Sequence, residues 1–196
     1  MIPRVSDNKS YRGVRTVFLD RDGVLNRKAP EGEYVSRWDL FHPLPGAIEA
    51  VRKLNEAGLP VYVVTNQRGV ALGLYTMGDV DRLHARLQDE LRSHGAHVDG
   101  FFVCPHDKGV CNCRKPGAGL FEQARALHPE IDFIRSVMVG DSLSDMEAGE
   151  RLGMRTVHIE GNVKTRKAGA CKARALAGAV CRSLLDAARL LVPPAD

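Results

Sequence analysis

Four short, unbroken apolar runs constrain this chain more than any other feature: Thr16-Val17-Phe18-Leu19, Val61-Tyr62-Val63-Val64, Phe101-Phe102-Val103 and Val137-Met138-Val139. A fifth runs from Arg155 to Ile159. Runs rich in Val and aromatic residues, without apolar–polar alternation, belong to strands covered on both faces, as in a parallel sheet. Between them the apolar spacing becomes helical. Residues 46–57 set Ala47, Val51 and Leu54 on one face and stop at Gly58. Thr76 with Asp79 forms a capping-box start for Val80, Leu83, Leu87 and Leu91, ending at Gly95. Further helices are predicted at 117–127, from Ser142 with Asp145 to just before Gly153, and from Ser183 with Asp186 through Leu191. Strands alternating with helices predict a doubly wound α/β fold with right-handed crossovers.

The chain has 196 residues, 44% hydrophobic and 27% charged. That suffices for one domain with a sizeable core and is too little for two of ordinary size. The expectation is a single domain over 1–196, its core at about 14–160, followed by a basic segment and terminal helix at 161–196. No apolar run reaches the ~20 residues of a membrane span, and the first thirty residues lack the features of a signal peptide. A cytoplasmic protein is therefore expected, with no membrane partner. Its five cysteines would stay reduced there, and three fall between Cys104 and Cys113, so metal binding takes precedence over disulfides.

In an open α/β sheet the reactive groups lie just past the carboxyl ends of the strands. The first run ends in Asp20-Arg21-Asp22-Gly23, the second in Thr65-Asn66-Gln67, and the fourth in Gly140-Asp141-Ser142-Leu143-Ser144-Asp145. Carboxylates from separate segments make a hard oxygen site suited to Mg²⁺, which keeps several waters and binds a substrate phosphate. An Asp beside such an ion can attack phosphorus. A second Asp two residues on can protonate the leaving oxygen and then activate water. A Thr hydroxyl, backbone N–H groups and a Lys, for which Lys115 is the candidate, would stabilise the transferring phosphoryl group. Each signal alone has a plainer reading: Asp-Gly is a common turn, Thr65-Asn66 a turn or helix cap, and Asp145 a capping residue. Their order after successive apolar runs has no such explanation.

Cys104-x-His106-x4-Cys111-x-Cys113 adds three thiolates and an imidazole, the ligand set of a closed tetrahedral Zn²⁺ site. Because protein fills all four positions, the zinc would be structural, fixing the loop that presents Arg114 and Lys115. Cys171 and Cys181 lie outside this spacing and are expected to pack as small apolar residues. His84 is expected to be a packing or surface residue, and Met138 and Met154 to lie in or near the core. Tyr34 and Trp38, in the long first loop, either cover the site or anchor that loop on the core. From 161 to 185 there are six basic residues, Lys164, Arg166, Lys167, Lys172, Arg174 and Arg182, and no acidic one. Without them the balance is 22 basic to 24 acidic, so the formal charge of +4 belongs to one segment. That segment has neither stacking aromatics nor a reading module. It is expected to be a solvated, flexible loop, and nucleic acid is not an expected partner.

The motifs FLDRDGVLN, VVTNQ, CRKP and VGDSLSD resemble the four ordered motifs of haloacid dehalogenase-like phosphatases, over residues 17 to about 149. The resemblance implies a Rossmann-like parallel sheet of order 3-2-1-4-5. It implies Asp20 as the aspartyl-phosphate nucleophile, Asp22 as acid and base, and Thr65 and Lys115 as phosphoryl-binding groups. It also implies Mg²⁺ held by Asp20, Asp141 and the Asp22 backbone carbonyl, with Asp145 supporting these ligands from behind. With the zinc loop of Cys104, His106, Cys111 and Cys113, the chain is similar to the zinc-containing branch of D-glycero-D-manno-heptose 1,7-bisphosphate phosphatases and histidinol-phosphate phosphatases. The 21–60 connection leaves no room for a large cap domain, so loops would select the substrate, the candidates being Asn26 to Tyr34, Gln67 to Leu72 and the zinc loop with Arg114. Asn66, Gln67, Arg68 and Arg114 are the candidate substrate-binding residues.

Departures from the pattern bear on that selection. The chain reads TNQRGVALG where members commonly read TNQSGIARG, carries Ser142 where Lys frequently follows the metal-binding Asp, and continues CRKP with Gly117-Ala118. Arg68 and Arg114 are then the candidates for binding a second phosphate bidentately. The expected function is a monomeric, Mg²⁺-dependent phosphomonoesterase acting on a small phosphorylated substrate. A heptose 1,7-bisphosphate, losing its 7-phosphate, is the leading substrate and histidinol phosphate its rival. A non-catalytic, zinc-stabilised binding module is the alternative of another class, and the intact set Asp20, Asp22, Thr65, Lys115 and Asp141 argues against it.

Overall fold

In a computed structural model of the protein, which describes residues 11–30, 32–161 and 169–192, the apolar runs are parallel strands: β1 (Thr16–Leu19), β2 (Val61–Asn66), β3 (Gly100–Cys104), β4 (Ser136–Gly140) and β5 (Arg155–Ile159), joined by β6 (Ala179–Cys181). Their order is β3-β2-β1-β4-β5-β6, the expected 3-2-1-4-5 with one more edge strand. The helices are α1 (Ala47–Glu56), α2 (Met77–Ser93), α3 (Gly119–Leu127), α4 (Leu143–Arg151), α5 (Ala170–Leu176) and α6 (Leu184–Leu191).

The central strand β1 explains why the runs are unbroken. Val17 and Leu19 face one way and join Val51 and Leu54 of α1, Leu83 and Leu87 of α2, and Ala188 of α6. Phe18 faces the other way and meets Leu120 and Phe121 of α3 and Ala148 of α4. All three strand residues are fully buried, so an alternating pattern would place a polar group in one of the two cores. Burying each such side chain contributes about 1.5–3 kcal/mol.

The helix starts follow their capping residues. At α2, Thr76 Oγ1 accepts from the Asp79 N–H at 3.2 Å and the Asp79 carboxylate accepts from the Thr76 N–H at 2.8 Å. At α6, Ser183 Oγ accepts from the Asp186 N–H at 3.1 Å. Helix α3 starts two residues later than expected because 117–118 close the preceding loop. There the Gly117 N–H donates to the Arg114 carbonyl at 2.7 Å and the Gly119 N–H to the Asn112 carbonyl at 3.1 Å.

The basic segment departs from expectation. Residues 170–176 and 179–181 are helix α5 and strand β6, not flexible loop; Ala173 and Ala179 are buried, and β6 pairs with β5. Alanine carries little hydrophobic signal, and a three-residue edge strand has too few positions for a pattern. Lys164, Arg166 and Lys167 lie outside the described residues. Cys171 is exposed rather than packed, whereas Cys181 packs half-buried against the core. His84 is buried and stacks on Phe101 with ring centroids 4.4 Å apart. Met138 and Met154 are buried in the second core. Trp38 anchors the first loop by stacking on Phe41, while Tyr34 reaches Tyr75 at 5.8 Å.

Between β1 and β2 the described residues hold α1 and a short 3-10 turn, with no inserted cap domain. Among the described residues no helix is long and apolar enough to cross a membrane. Because β2 and β4 flank β1, the crossovers diverge at its carboxyl end, where open α/β sheets place their ligands. Leu19 and Val139 are in register, so Asp20 and Asp141 emerge together at this switch point.

Candidate active site

The Asp20 N–H donates to the Val139 carbonyl at 3.0 Å, extending the β1–β4 pairing by one residue. Asp20 Oδ1 accepts from the Arg21 N–H at 2.7 Å and lies 3.0 Å from Lys115 Nζ. That ammonium also meets Asp145 Oδ1 at 2.6 Å and donates to the Val64 carbonyl at 2.7 Å. Burial opposes the Lys115 charge, but Asp145 and Asp20 outweigh it and hold its pKa above the usual lysine range. Asp145 in turn accepts from the Ser142 N–H at 3.0 Å and hydroxyl at 2.6 Å, so one side chain both starts α4 and holds Lys115.

Asp141 approaches the β1 turn so closely that a Cβ on Gly23 would lie 2.2 Å from its Oδ2. Gly23 also has φ +97°, a region that favours glycine. Lys28 ion-pairs with the same Asp141 carboxylate. Oxygens of Asp20, Asp141 and Asp145 lie within 4.8 Å of one another. Burial raises the Asp20 carboxyl to about 7; Lys115 opposes the shift, and the charges of Asp145 and Asp141 add to it. A divalent cation would relieve this crowding, and hard oxygen donors fit Mg²⁺. Asp145 is fully buried beneath Lys115 and Ser142, whereas the Asp20 and Asp141 carboxylates keep some exposure, so these two side chains could hold the cation.

Asp22 belongs to a second network. The fully buried Arg21 donates to its carboxylate from Nε at 3.3 Å and from Nη2 at 2.9 Å, Asn26 Nδ2 donates at 2.9 Å, and Gln67 Nε2 at 3.0 Å. Burial favours the neutral acid, but the Arg21 charge and these bonds outweigh it and hold Asp22 below the usual carboxylate range. Arg21 Nη2 donates to the Val35 carbonyl at 2.8 Å, and Nη1 stands 3.5 Å from His84 Nε2. Burial and the Arg21 charge push His84 down to about 3, so its ring is neutral. The Gln67 amide joins Asp22 to Thr65: Nε2 also donates to Thr65 Oγ1 at 2.9 Å, and Oε1 accepts from the Tyr75 hydroxyl at 2.7 Å.

Three residues expected to bind substrate therefore have other partners. Gln67 is buried and aligns Asp22 and Thr65. Asn66 clamps the Lys115 backbone, donating from Nδ2 to its carbonyl at 3.1 Å and accepting at Oδ1 from its N–H at 3.0 Å. Arg68 makes a two-point contact with Asp107, at 2.5 and 3.3 Å, tying the β2 loop to the cysteine-bearing loop. In each case loop 104–118, distant in sequence from 66–68, or the β1 turn supplies a partner. Arg114 is half-buried in the same loop. Its Nη1 reaches the His106 carbonyl at 3.4 Å, and with Lys108, Lys115, Ser144 and Arg151 it lines a cavity of about 610 Å³. Arg21 and Tyr75 were not among the expected site residues, and Asn26 and Lys28 were expected only as members of a substrate-selecting loop, with no role of their own. For Arg21 and Asn26 the available signal is their place inside DRDGVLN; Lys28 and Tyr75 lie in loops without a motif.

Sγ of Cys104, Cys111 and Cys113 and Nδ1 of His106 also converge within 4.8 Å. Cys111 Sγ is 3.6 Å from Cys104 Sγ and 3.4 Å from Cys113 Sγ. Sulfurs about 2.3 Å from a tetrahedral centre lie about 3.8 Å apart, whereas a disulfide needs about 2.05 Å. The cluster thus has the dimensions of a metal site, and its cysteines are free. Burial and the neighbouring thiols push Cys113 up to about 12. At Cys111 burial is outweighed by donors that include the Arg114 N–H, and the thiol falls to about 7. Soft thiolates with an imidazole fit Zn²⁺.

The sequence and the fold both have known counterparts. The HAD-hydrolase-like family model matches residues 112–187. A protein of Mycobacterium tuberculosis (strain ATCC 25618 / H37Rv) named D-glycero-alpha-D-manno-heptose-1,7-bisphosphate 7-phosphatase is 41% identical over 172 residues, covering 87% of this chain and 84% of that one. The chain belongs to the heptose-bisphosphate phosphatase branch of the haloacid dehalogenase-like enzymes. In the same branch, an Escherichia coli O6:H1 protein named D-glycero-beta-D-manno-heptose-1,7-bisphosphate 7-phosphatase is 36% identical over 184 residues, covering 89% of this chain and 93% of its own. The solved structure of the D,D-heptose 1.7-bisphosphate phosphatase from B. bronchiseptica, complexed with magnesium and phosphate, matches with a TM-score of 0.80 at 30% identity. It covers 92% of this chain and 99% of that one.

Proposed function

We propose that this chain is a Mg²⁺-dependent phosphomonoesterase that removes the 7-phosphate of D-glycero-D-manno-heptose 1,7-bisphosphate through an aspartyl-phosphate. The observation that carries this reading is the meeting of Asp20, Asp141 and Lys115 beyond β1 and β4, with Asp22 held beside them. Asp20, Asp141 and the Asp22 backbone carbonyl would hold Mg²⁺, which when bound neutralises charge on the phosphoryl oxygens and on Asp20.

Both Asp20 contacts fall on Oδ1 among the described residues, so Oδ2 is the attacking oxygen. The Oδ2–P bond forms as the bond from phosphorus to the C7 oxygen breaks. The incoming phosphate's negative charge raises the proton affinity of Asp22, which takes up a proton from solvent as substrate binds and gives it to the leaving oxygen. Asp22 then takes a proton from the water that attacks the aspartyl-phosphate, restoring Asp20 and releasing phosphate. Arg21, Asn26 and Gln67 keep Asp22 aimed and favour its ionised form for this second step. Lys115 balances the phosphoryl charge. Thr65 Oγ1 accepts from Gln67 and so keeps its own O–H for a phosphoryl oxygen. Arg114, which lines the cavity with Lys115, is assigned to the second phosphate.

In the same proposal Cys104, His106, Cys111 and Cys113 hold a structural Zn²⁺ that fixes the loop presenting Arg114 and Lys115. The enzyme works as a monomer in the cytoplasm, where these thiols stay reduced. The test is a comparison of kcat/KM for both anomers of the heptose bisphosphate, a heptose monophosphate and histidinol phosphate, with and without Mg²⁺. A heptose bisphosphate is expected to lead and turnover to require Mg²⁺. Preference for histidinol phosphate by a wide margin refutes the substrate. Turnover by Asp20→Asn equal to wild type refutes the nucleophile.

A further inference from the structure

Lys28 belongs to none of the motifs, yet its ammonium sits on Asp141 Oδ2 within the carboxylate cluster. The start of its loop is firmly placed. Asn26 is buried and donates to Asp22 and to the Arg27 carbonyl, and the Arg27 N–H donates to the His42 carbonyl at 2.8 Å. The Lys28 stem is thereby aimed at Asp141. Burial opposes the charge on Lys28, but Asp141, Asp20 and Asp145 outweigh it and keep the ammonium protonated.

The two lysines of the cluster differ in how they are held. The Lys115 side chain is 1% exposed and has three oxygen partners, so it is a permanent part of the site. Among the described residues Lys28 has one ion-pair partner, and the side chains of the pair are 16% and 14% exposed. A long, rotamer-rich stem at the mouth of the site can withdraw to water. Its ammonium and a divalent cation on the same carboxylate carry the same sign of charge, so they compete for it.

We propose that Lys28 is a tethered counter-ion that holds Asp141 in the metal-free protein and leaves it when the divalent cation binds, so that this lysine sets how tightly the cation is held. The inference rests on the proposed Mg²⁺ site at Asp20 and Asp141. It makes Lys28 a positioning residue that acts through Asp141.

Two measurements on the intact, zinc-loaded protein test it, each with circular dichroism as a check of folding. Calorimetric titration of Mg²⁺ is expected to show roughly tenfold or more tighter binding to Lys28→Met, which keeps the stem and lacks the charge, than to wild type; affinity within roughly threefold of wild type, or weaker, overturns the proposal. A lysine that stayed in place would also weaken cation binding by charge alone, so the second measurement follows its release. Reductive methylation of the wild-type protein, read at the Lys28 peptide by mass spectrometry, is expected to run several-fold faster with saturating Mg²⁺ than without. An equal or slower rate overturns the proposal. Wild type that binds no Mg²⁺ overturns the metal site of the proposed function as well, whereas wild type that binds it while either measurement fails leaves that function standing and removes only the role of Lys28.

Discussion

Replacing Asn66 by Ala separates a residue that binds substrate from one that holds Lys115 in place. The amide makes two bonds to the Lys115 backbone, at 3.1 and 3.0 Å, and removing it leaves the N–H and carbonyl of a residue only 3% exposed without these partners. Each bond contributes about 0.5–1.5 kcal/mol net, so the expected loss is about 2 kcal/mol. For a chain of this size that lowers Tm by about 4–8 °C. If the same energy falls on the placement of Lys115 Nζ, 3.0 Å from Asp20, kcat drops by up to about 30-fold, since each 1.4 kcal/mol is a factor of ten. KM rises less than kcat falls, because the ammonium that Asn66 keeps in place acts on the transferring phosphoryl group. Thermal unfolding and steady-state kinetics on the same preparation check both numbers. A raised KM with kcat and Tm unchanged would show that Asn66 binds substrate directly and would refute the positioning argument. Asn66→Asp still accepts from the Lys115 N–H but sets a carboxylate against its carbonyl, so its Tm should fall between wild type and Asn66→Ala.

Three further outcomes are expected. Gly23→Ala puts a Cβ 2.2 Å from Asp141 Oδ2 at a φ of +97°; the protein stays folded while Mg²⁺ affinity and kcat/KM fall roughly tenfold or more, and wild-type calorimetric binding of Mg²⁺ would contradict this. Cys111→Ser lowers zinc content measured by atomic spectroscopy and raises KM while the Asp20 nucleophile remains; full activity with no bound zinc rejects the structural role of the loop. His84 has a folded pKa of about 3 against about 6.5 when unfolded, so the unfolded chain binds more protons between these values. Its contribution to stability is complete above about pH 6.5 and is lost as pH falls toward 3, by at most about 1.4 kcal/mol per pH unit. Urea unfolding at pH 7 and pH 5 is expected to show a smaller loss for His84→Gln than for wild type, and equal losses would count against a neutral, buried His84.

The strands and the chemistry at their ends were legible in the residues because both follow from local pattern. Phe18, between Val17 and Leu19, is apolar because it enters the opposite core. Asp20, Asp22, Thr65 and Asp141 follow apolar runs whose carboxyl ends a doubly wound sheet brings to one edge. The four residues of the Cys/His cluster lie within ten positions of one another, so their convergence needed only a loop. Helix α5 and strand β6 escaped notice because alanine-rich edge elements barely register as a pattern.

Partnership was another matter. Asn66 and Lys115 are 49 residues apart, Arg68 and Asp107 39, and Lys28 and Asp141 113. The sequence by itself determined which kinds of group stand at the strand ends: carboxylates, amides, a hydroxyl and cations suited to a phosphate and a hard metal ion. Only the tertiary structure decided which of them face the open crevice and which face each other. A buried polar group such as Gln67 must find a partner, and Asp22 for Gln67, Lys115 for the half-buried Asn66 and Asp107 for the half-buried Arg68 come from segments that the sheet order, not the spacing along the chain, brings within reach.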